Sequence, residues 1–275
     1  MKREDLIHPE IMGNKWRKLK YNLLEASATG KKRLITKGGA YSNHIAATAA
    51  AAKTYGFDSL GIIRGQELNT QSNLTLKTAH KNGMKLQFVD RAAYKEISEM
   101  TFPLDNDDFF IPEGGTNSLA IKGVSELIDE IDDSYNIIAT SIGTGGTLCG
   151  LLKGLEGNYQ ILGFSALKGD FMIKEIEHLR QEFNIPWKNY HLNLDYHFGG
   201  YGKVTHSLVA FINEFKAQFG ISLDPIYTGK MFYGVWDKVK NDQIAKGSRI
   251  LLLHTGGLQG VSGFNARFPE SAISI

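Results

Sequence analysis

The sequence predicts an α/β protein built around a largely parallel β-sheet, and three observations lead to this fold class. Short apolar runs bounded by turn residues alternate with longer segments whose apolar residues recur at a spacing near 3.6. The chain has 275 residues, which is enough for two domains or one large α/β domain. Hydrophobic residues make up 42% and charged residues 22%, as in globular proteins, so a wholly disordered or fibrous chain is excluded.

Seven segments are predicted as strands because they are short, apolar and flanked by turn residues. They are Arg33–Thr36, Ser59–Ile63, Lys85–Val89, Phe109–Ile111, Asn136–Ser141, Gln160–Ser165 and Arg249–Leu253. Six longer segments are predicted as helices from their apolar period. They are Asn14–Ala26, Asn43–Tyr55, Gln71–Asn82, Ser118–Ile131, Val204–Phe219 and Lys230–Lys240. Strands that alternate with helices in this way run parallel in most α/β folds.

Charge and cysteine content exclude several classes of protein. The 31 basic and 29 acidic residues give a net charge of +2 without any long basic block, so nucleic-acid binding is not predicted. The single cysteine, Cys149, excludes an internal disulfide and predicts the reducing cytoplasm, where it is expected to be a packed residue. The N-terminus does not resemble a signal peptide, and no apolar run approaches the roughly 20 residues of a membrane span.

Glycine is unusually frequent, with 30 glycines against six prolines, which indicates tight turns where the backbone approaches a ligand. Five clusters that contain glycine lie between predicted elements, and four of them directly follow a strand. The clusters are Gly13–Lys18, Lys37–His44, Glu113–Asn117, Gly143–Thr147 and His254–Gly257. Each alone could be an ordinary turn, but ligands of open α/β sheets bind at the carboxyl ends of strands. The five together therefore predict one binding site.

The cluster Gly143-Thr144-Gly145-Gly146-Thr147 predicts a phosphate site. Its glycines allow backbone N–H groups to converge, its threonines add hydroxyls, and the helical segment Leu148–Leu155 follows it. Leu148 stands where a dinucleotide fingerprint needs its third glycine, and no Gly-Lys-Ser/Thr follows as in a P-loop. A small phosphorylated cofactor is therefore favoured over NAD or ATP.

Lys15 and Lys18 lie three residues apart on one face of a predicted helix. Lys15 follows the expected N-cap of this helix, and the helix dipole disfavours a cation at that end. Lys15 is therefore predicted either to bind an anion or to be neutral as an imine. The neighbouring Arg17 and Lys20 are interpreted as a solvated basic face. No Ser/His/Asp arrangement with a nucleophile elbow and no metal-ligand spacing is present, so neither a hydrolase triad nor a metal site is predicted.

Taken together, these motifs resemble those of the 1-aminocyclopropane-1-carboxylate (ACC) deaminase and D-cysteine desulfhydrase family, which belongs to the tryptophan-synthase-β-like, fold type II enzymes that use pyridoxal 5′-phosphate (PLP). Eight motifs occur in order along essentially the whole chain. They are residues 2–6, 13–19, 38–44, 113–117, 143–147, 199–202, 224–230 and 254–257.

The resemblance implies two open α/β domains that enclose the cofactor. The larger would combine residues 1–19 and 118–275, and the smaller would span residues 20–117. It also implies a homodimer that acts on a small amino acid. Family members carry a further segment before the motif at Lys2, so a chain that starts at Met1 is expected to expose a sheet edge or to weaken a dimer contact.

The resemblance also implies roles for individual residues. Lys15 would hold PLP as a Schiff base and move the substrate's α-proton. Lys18 would join Gly143–Thr147 on the phosphate. Asn43 would contact the pyridoxal 3′-oxygen. Ser42, Asn43 and His44 would contact the substrate. Tyr201 and Tyr227 would bind the substrate or transfer its protons. On residue type alone, Ser42 is equally well explained as a helix N-cap and His44 as a packed or surface histidine.

Thr228 decides between two reactions. ACC deaminases are expected to place a glutamate here against the pyridine nitrogen, whereas D-cysteine desulfhydrases are expected to place a threonine, whose hydroxyl can donate to a neutral nitrogen. The sequence therefore predicts β-elimination from D-cysteine or a related β-substituted amino acid, which yields pyruvate, ammonia and sulfide. ACC ring opening is the alternative, and a non-catalytic PLP-binding protein is a second alternative. Thr228 would carry no such information if it only capped the following helix.

Overall fold

A computed structural model describes residues 1–132 and 134–275 and contains two parallel β-sheets surrounded by helices. The strands are β1 Lys2–Arg3, β2 Arg33–Gly39, β3 Asp58–Arg64, β4 Lys85–Val89, β5 Asp108–Ile111, β6 Ile137–Ile142, β7 Gln160–Ser165, β8 Tyr190–Asn193 and β9 Ile250–His254. The helices are α1 Asn14–Ala28, α2 Asn43–Tyr55, α3 Leu74–Lys81, α4 Arg91–Glu96, α5 Ser118–Ser125, α6 Gly146–Leu155, α7 Phe171–Glu182, α8 His206–Phe219, α9 Thr228–Lys240 and α10 Gln259–Arg267. The predicted α/β fold class with mostly parallel sheets is confirmed.

The smaller sheet has the strand order β4-β3-β2-β5, and every pair in it is parallel. Its inner strand β2 is buried from Leu34 to Gly38, which explains why its apolar residues Leu34 and Ile35 are consecutive and do not alternate with polar ones. The alanine-rich helix α2 packs beside it and shares a core with Leu34 and with Leu19 of α1. This packing brings the first turns of α1 and α2 to the carboxyl end of β2.

The larger sheet has the strand order β1-β9-β6-β7-β8 and is also parallel throughout. All six residues of its central strand β6 are buried, because an apolar core lies on each face of the sheet. One core contains Leu148, Leu152 and Ile176, and the other contains Ile212 and Phe232. Burial of each such side chain stabilises the fold by about 1.5–3 kcal/mol, so the sheet is a rigid base for the loops at its carboxyl edge.

The sequence located the strands that contain most of the apolar residues but missed two short ones. All seven predicted strands are present within one or two residues, apart from β2, which continues three residues further. The strand β1 has only two charged residues and forms by pairing with β9, and β8 lacks an apolar run, so neither had a local signal. Among the helices, α4, α7 and α10 were not predicted. The predicted helix Ser118–Ile131 ends at Ser125 and continues as the 3-10 turn Glu126–Glu130.

The strands divide cleanly between the sheets, since those of the smaller sheet lie between residues 33 and 111 and those of the larger sheet lie before and after them. The division into residues 1–19, 20–117 and 118–275 stays a prediction, and its first boundary falls inside helix α1. None of the helices in the described part of the chain has the length and apolar character that crossing a membrane requires.

Candidate active site

A cavity of about 1810 Å³ lies at the carboxyl ends of the strands of both sheets. Its walls come from the segments that follow β2, β5, β6 and β9 and from the first turn of α1. All five glycine clusters of the sequence contribute residues to it. The location agrees with the general rule that open parallel sheets bind ligands beyond the carboxyl ends of their strands.

Lys15 lies in the first turn of α1, which begins directly against the loop after β9. The N-cap residue Gly13 has φ of 61°, and a Cβ atom there would lie 1.9 Å from the Thr255 carbonyl oxygen, so only glycine fits. The Lys15 Nζ atom donates to the Gly114 carbonyl at 3.3 Å. Burial lowers the pKa of Lys15 to about 8. About a tenth of such amines are neutral at pH 7, far more than for an ordinary lysine, which suits an amine that forms an imine.

Lys18 lies one helical turn further on and is almost completely buried, with 2% of its surface exposed. Its Nζ atom donates to the same Gly114 carbonyl at 3.1 Å and to Thr116 Oγ1 at 3.3 Å. Burial lowers the pKa of Lys18 well below its usual value, and the charge of Lys15 lowers it further. Two desolvated amines that share one carbonyl oxygen are poorly neutralised. An anion bound between them would relieve this arrangement.

The loop Gly143–Thr147 connects β6 to α6 beside these two lysines. Gly145 caps α6 in the left-handed conformation, with φ of 83°. A Cβ atom on Gly146 would lie 2.9 Å from Lys18 Nζ and 2.7 Å from Thr116 Oγ1, so glycine lets the lysine approach the start of the helix. Thr144 Oγ1 is 2.7 Å from Thr116 Oγ1. Glycine backbone, a helix N-terminus and a buried lysine therefore meet at one point, and this combination fits a phosphate group.

The segment Ser42-Asn43-His44 begins α2 on the opposite wall. Ser42 is the N-cap, and its oxygen accepts from the backbone N–H of Ile45 at 3.3 Å, which leaves the hydroxyl hydrogen available to a ligand. The Asn43 Oδ1 atom accepts a hydrogen bond from Gln259, which directs the amide nitrogen of Asn43 elsewhere as a donor. The segment thus presents donors at the N-terminus of a 13-residue helix, where an anion is stabilised.

His44 is 1% exposed, and neither of its ring nitrogens makes a hydrogen bond of normal geometry, although a backbone contact with Pro112 raises the pKa of the ring against the other causes. Burial, followed by the charges of Lys15 and Lys18, lowers the pKa of His44 well below its usual value, so the ring is neutral. Buried polar atoms without partners are rare in proteins. A histidine in this state beside the cavity fits a site whose ligand completes its hydrogen bonding.

Tyr201 and Tyr227 lie together on a further wall, with their ring centroids 6.0 Å apart in an edge-to-face arrangement. Desolvation at the cavity wall is the main cause that raises the pKa of each phenol, although 46% of the Tyr201 surface is exposed. The hydrogen bond between the two side chains lowers the pKa of Tyr201 and raises that of Tyr227. The Tyr227 ring also contacts Gly143, where a Cβ atom would lie 3.1 Å from it. Both hydroxyls therefore stay protonated next to the phosphate loop.

Thr228 is placed differently from its sequence-based interpretation. Its hydroxyl donates its single hydrogen to Asp224 Oδ2 at 2.5 Å and accepts from the Asp224 backbone N–H at 2.9 Å. It is fully buried, is the first residue of α9 and is not among the cavity-lining residues. The hydrogen is therefore not available to a pyridine nitrogen, because a hydroxyl has one hydrogen to donate.

Sequence reasoning missed several residues of this region. Asp224 accepts from the backbone N–H groups of Ile226, Tyr227 and Thr228 at 2.8–2.9 Å and so shapes the turn before α9. Ser141 lies near the end of β6, and Thr255 follows β9. Both line the cavity, and their hydroxyl oxygens lie 3.3 Å apart. The available signal was that Ser141 lies two residues before the cluster Gly143–Thr147 and that Thr255 belongs to the cluster His254–Gly257.

Two sequence-based interpretations outside the cavity can also be judged. Arg17 was interpreted as solvated, which is wrong: it is 5% exposed and binds the carboxylates of Glu4 and Glu130. The expectation that Cys149 is a packed residue is confirmed, because its side chain is buried and burial raises the pKa of the thiol to about 12.

Comparisons with known proteins identify the family of the chain. The family model of pyridoxal-phosphate dependent enzymes matches residues 1–256. A protein from Pyrococcus furiosus, provisionally named 1-aminocyclopropane-1-carboxylate deaminase, is 34% identical, and the alignment covers 94% of this chain and 84% of the relative. The mitochondrial bifunctional D-cysteine desulfhydrase/1-aminocyclopropane-1-carboxylate deaminase of Arabidopsis thaliana is 28% identical over 95% of this chain and 72% of its own.

Solved structures agree with the sequence comparisons. The crystal structure of an ACC deaminase homologue superimposes with a TM-score of 0.84 at 29% identity and covers 98% of this chain and 87% of that one. An L-serine ammonia-lyase from Rhizomucor miehei, at 14% identity and a TM-score of 0.66, shares the fold. The chain therefore belongs to the pyridoxal-phosphate-dependent enzymes of fold type II, in the group that contains ACC deaminases and D-cysteine desulfhydrases, and PLP is its cofactor.

Proposed function

We propose that this enzyme is a deaminating lyase that eliminates the β-substituent of D-cysteine or a related β-substituted amino acid. With D-cysteine, the reaction takes up one water and releases pyruvate, ammonia and sulfide. The observation that carries the proposal is the chemistry of the cavity between β6 and β9, where Ser141 and Thr255 contribute hydroxyls. In the described part of the chain, the carboxylates that line the cavity are those of Glu67, Glu113 and Glu270, which lie in other segments.

We assign the pyridine nitrogen of the cofactor to this end of the cavity, and hydroxyls there support elimination for an electronic reason. A carboxylate beside the pyridine nitrogen would keep it protonated and would strengthen the cofactor's withdrawal of electrons. Opening an unactivated cyclopropane ring leaves negative charge that needs such strong withdrawal. Expelling sulfide removes the negative charge together with the leaving group, so a neutral nitrogen with hydroxyl neighbours suffices.

Lys15 is the residue that we assign to hold the cofactor and to move the α-proton. Bound PLP supplies the electron sink for the carbon that loses this proton. The lowered pKa of about 8 makes the Lys15 amine available as a base near neutral pH, where general bases work best. Its weak bond of 3.3 Å to the Gly114 carbonyl leaves the amine free to change partners.

The cofactor phosphate is assigned to the loop Gly143-Thr144-Gly145-Gly146-Thr147 and to Lys18. The N-terminus of α6 and the buried ammonium of Lys18 both favour a dianion at this point. Asn14 Nδ2 donates to Thr147 Oγ1 at 2.8 Å and so joins the start of α1, with its two lysines, to the start of α6. The aldehyde and the phosphate of the cofactor would thus be held by two connected helix ends.

The substrate carboxylate is assigned to the start of α2, where Ser42 retains a free hydroxyl hydrogen and neutral His44 makes no hydrogen bond of normal geometry. Asn43 would donate its amide hydrogens to the pyridoxal 3′-oxygen and to the substrate. Tyr201 and Tyr227 hold their phenolic protons because their pKa values are raised. Either phenol could protonate the departing thiolate, which makes the tyrosine pair the acid of the proposed reaction.

Ring opening of ACC, with uptake of one water and release of 2-oxobutyrate and ammonia, is the second candidate function. The names of the relatives favour it, since the Pyrococcus protein is provisionally named for this activity and the Arabidopsis protein is named for both. The pair of Thr228 and Asp224 does not support ACC ring opening, because the Asp224 carboxylate already accepts hydrogen bonds from three backbone N–H groups and one hydroxyl.

The two functions are separated by assaying pyruvate, sulfide and 2-oxobutyrate release from D-cysteine, L-cysteine, D-serine and ACC, with Lys15→Ala as the blank. We expect pyruvate and sulfide in equal amounts from D-cysteine and little 2-oxobutyrate from ACC. Efficient opening of ACC without turnover of D-cysteine would show that the enzyme is an ACC deaminase instead. Tight PLP binding without any keto acid would favour a PLP carrier, which the lowered pKa of Lys15 argues against.

We also propose that the enzyme works as a homodimer in the cytoplasm, with its chain divided into the two domains expected from the sequence. The single buried thiol of Cys149 supports a reducing compartment. Sedimentation or light scattering at several protein concentrations tests the dimer.

A further inference from the structure

The loop that carries Tyr201 has an unusual backbone. Residues Phe198, Gly199, Gly200 and Gly202 all have positive φ, between 53° and 117°. The loop consists of two consecutive turns: the Gly200 N–H donates to the His197 carbonyl at 3.0 Å, and the Lys203 N–H donates to the Gly200 carbonyl at 3.1 Å. Tyr201 lies inside the second turn and is 46% exposed. Such glycine-rich turns hold one shape only when other contacts fix them.

Lys230 provides those contacts. Its Nζ atom donates to the carbonyls of His197 and Gly200, both at 2.9 Å, and these are the same two carbonyls that close the two turns. The side chain is 1% exposed. None of the ion pairs found in residues 1–132 and 134–275 involves Lys230. Its burial lowers its pKa to about 8, with the charge of Asp224 acting in the opposite direction.

The position of Lys230 in the chain links this loop to the other tyrosine. Lys230 lies in the first turn of α9, and Tyr227 is the N-cap of the same helix. The two rings meet at a centroid distance of 6.0 Å. One buried ammonium therefore connects the glycine-rich loop that carries one phenol to the helix that begins at the other. A buried lysine is costly for stability, so an apolar residue would serve better if only packing were needed.

We propose that Lys230 is a positioning residue for the reaction, which holds the loop at residues 197–203 so that Tyr201 meets Tyr227 at the cavity. The inference rests on the proposed function, in which these phenols handle the substrate's protons. Lys230 itself touches neither substrate nor cofactor and acts through Tyr201.

The test compares Lys230→Met and Lys230→Arg with Tyr201→Phe and with the double variant Lys230→Met/Tyr201→Phe. Lys31→Met is the matched control, because Lys31 donates to a backbone carbonyl, that of Asn106, at 2.8 Å on the surface. Hydrogen–deuterium exchange of residues 197–203 and PLP affinity are measured together with kcat and KM. Lys230→Gln replaces Lys230→Met if the latter does not fold.

We expect Lys230→Met to lower kcat by about tenfold to a hundredfold, since a misplacement of about 1 Å has that effect, with KM and PLP affinity nearly unchanged. Exchange of residues 197–203 should accelerate. Lys230→Arg, which keeps donors, should recover part of kcat, and Lys31→Met should change nothing. In the Tyr201→Phe background the loss should vanish, because coupled residues are not additive.

An equal loss of kcat from Lys230→Met with and without the Tyr201 hydroxyl would overturn the proposal, as would unchanged exchange of the loop. The exchange measurement needs no substrate. If the wild type turns over none of the amino acids, the proposed function fails, while exchange still decides whether Lys230 holds the loop.

Discussion

Four lysines in or beside the cavity have pKa values that burial lowers, but Lys15 and Lys18 differ from Lys37 and Lys230 in their hydrogen bonds. Lys15 and Lys18 both direct their amines to the carbonyl of Gly114, at 3.3 and 3.1 Å, and Lys18 also makes a long contact of 3.3 Å with Thr116 Oγ1. Lys37 donates to the carbonyls of Tyr94 and Ile97 at 2.8 and 2.6 Å. Lys230 likewise donates to two carbonyls, both at 2.9 Å.

The difference shows that a lowered pKa does not by itself identify the reactive amine. Burial lowers the pKa of all four lysines, so this shift reports only their low-dielectric surroundings. An amine with two well-placed acceptors loses both when it moves. Lys15 and Lys18 compete for one carbonyl and have long hydrogen bonds, so both amines are available to a ligand, and they lie next to the glycine loop.

Replacement of the cofactor lysine tests this comparison with the largest expected effect. Lys15→Ala should abolish keto-acid release and the visible absorption band of lysine-bound PLP. Lys37→Met removes another amine whose pKa is lowered by burial, and it should keep the band, because Lys37 is bound to backbone carbonyls. Absorption spectra and turnover of the two purified variants decide. A band that persists in Lys15→Ala and disappears in Lys37→Met would reverse the assignment.

The contact between Lys18 and the glycine loop gives the next largest effect. In Gly146→Ala the new Cβ atom would lie 2.7 Å from Thr116 Oγ1 and 2.9 Å from Lys18 Nζ. PLP affinity should fall at least about tenfold, equivalent to about 1.4 kcal/mol, whereas affinity for phosphate-free pyridoxal should change little. Gly260→Ala is the control, because the added Cβ atom meets only open space. Equal losses for PLP and pyridoxal would show that the loop does not hold the phosphate.

The pKa of Lys15 predicts a pH dependence for cofactor uptake by the apoenzyme. Only the neutral amine attacks the aldehyde, so the rate should rise with pH and level off above about 8, where the folded-state pKa lies. The expected gain from pH 7 to the plateau is about tenfold. Stopped-flow absorbance measures the rate of cofactor uptake at each pH. A rate that still rises steeply at pH 10 would mean that the reacting lysine has an ordinary pKa.

The buried pair of Thr228 and Asp224 predicts a smaller effect, on stability. Thr228→Val removes a donor from a buried carboxylate and should lower the free energy of unfolding by about 1–3 kcal/mol. Thr228→Ser keeps the hydroxyl and should lose less. Thr228→Glu would place a second carboxylate beside Asp224 and should lose more, without gaining ACC opening. Denaturant unfolding checks this order; a shifted cofactor spectrum at unchanged stability would instead place the hydroxyl against the pyridine ring.

The sequence predicted those parts of the molecule that have a local signal. The strands β2, β3, β6 and β7 are apolar runs, and the five glycine clusters follow strands or begin helices, so their meeting at one edge follows from the parallel topology. The environment of Thr228 was not predicted from the sequence. Its hydroxyl donates to Asp224, four residues earlier, in a turn that the periodicity of apolar residues does not reveal.

Partners that lie far apart in the chain were also beyond sequence reasoning. Arg17 looks like a surface residue until the chain brings Glu4 and Glu130 to it. The role of Lys230 depends on carbonyls that lie 30 and 33 residues before it. Such contacts exist only after folding, so a side chain's type and spacing cannot reveal them.

The most direct test of the account is to reduce the PLP-loaded enzyme with borohydride and to map the labelled peptide. The reduction fixes the cofactor to the lysine that holds it. We expect one pyridoxyl label, on Lys15. A label on Lys18, Lys37 or Lys230 would contradict the assignment of the reactive amine and with it the proposed mechanism.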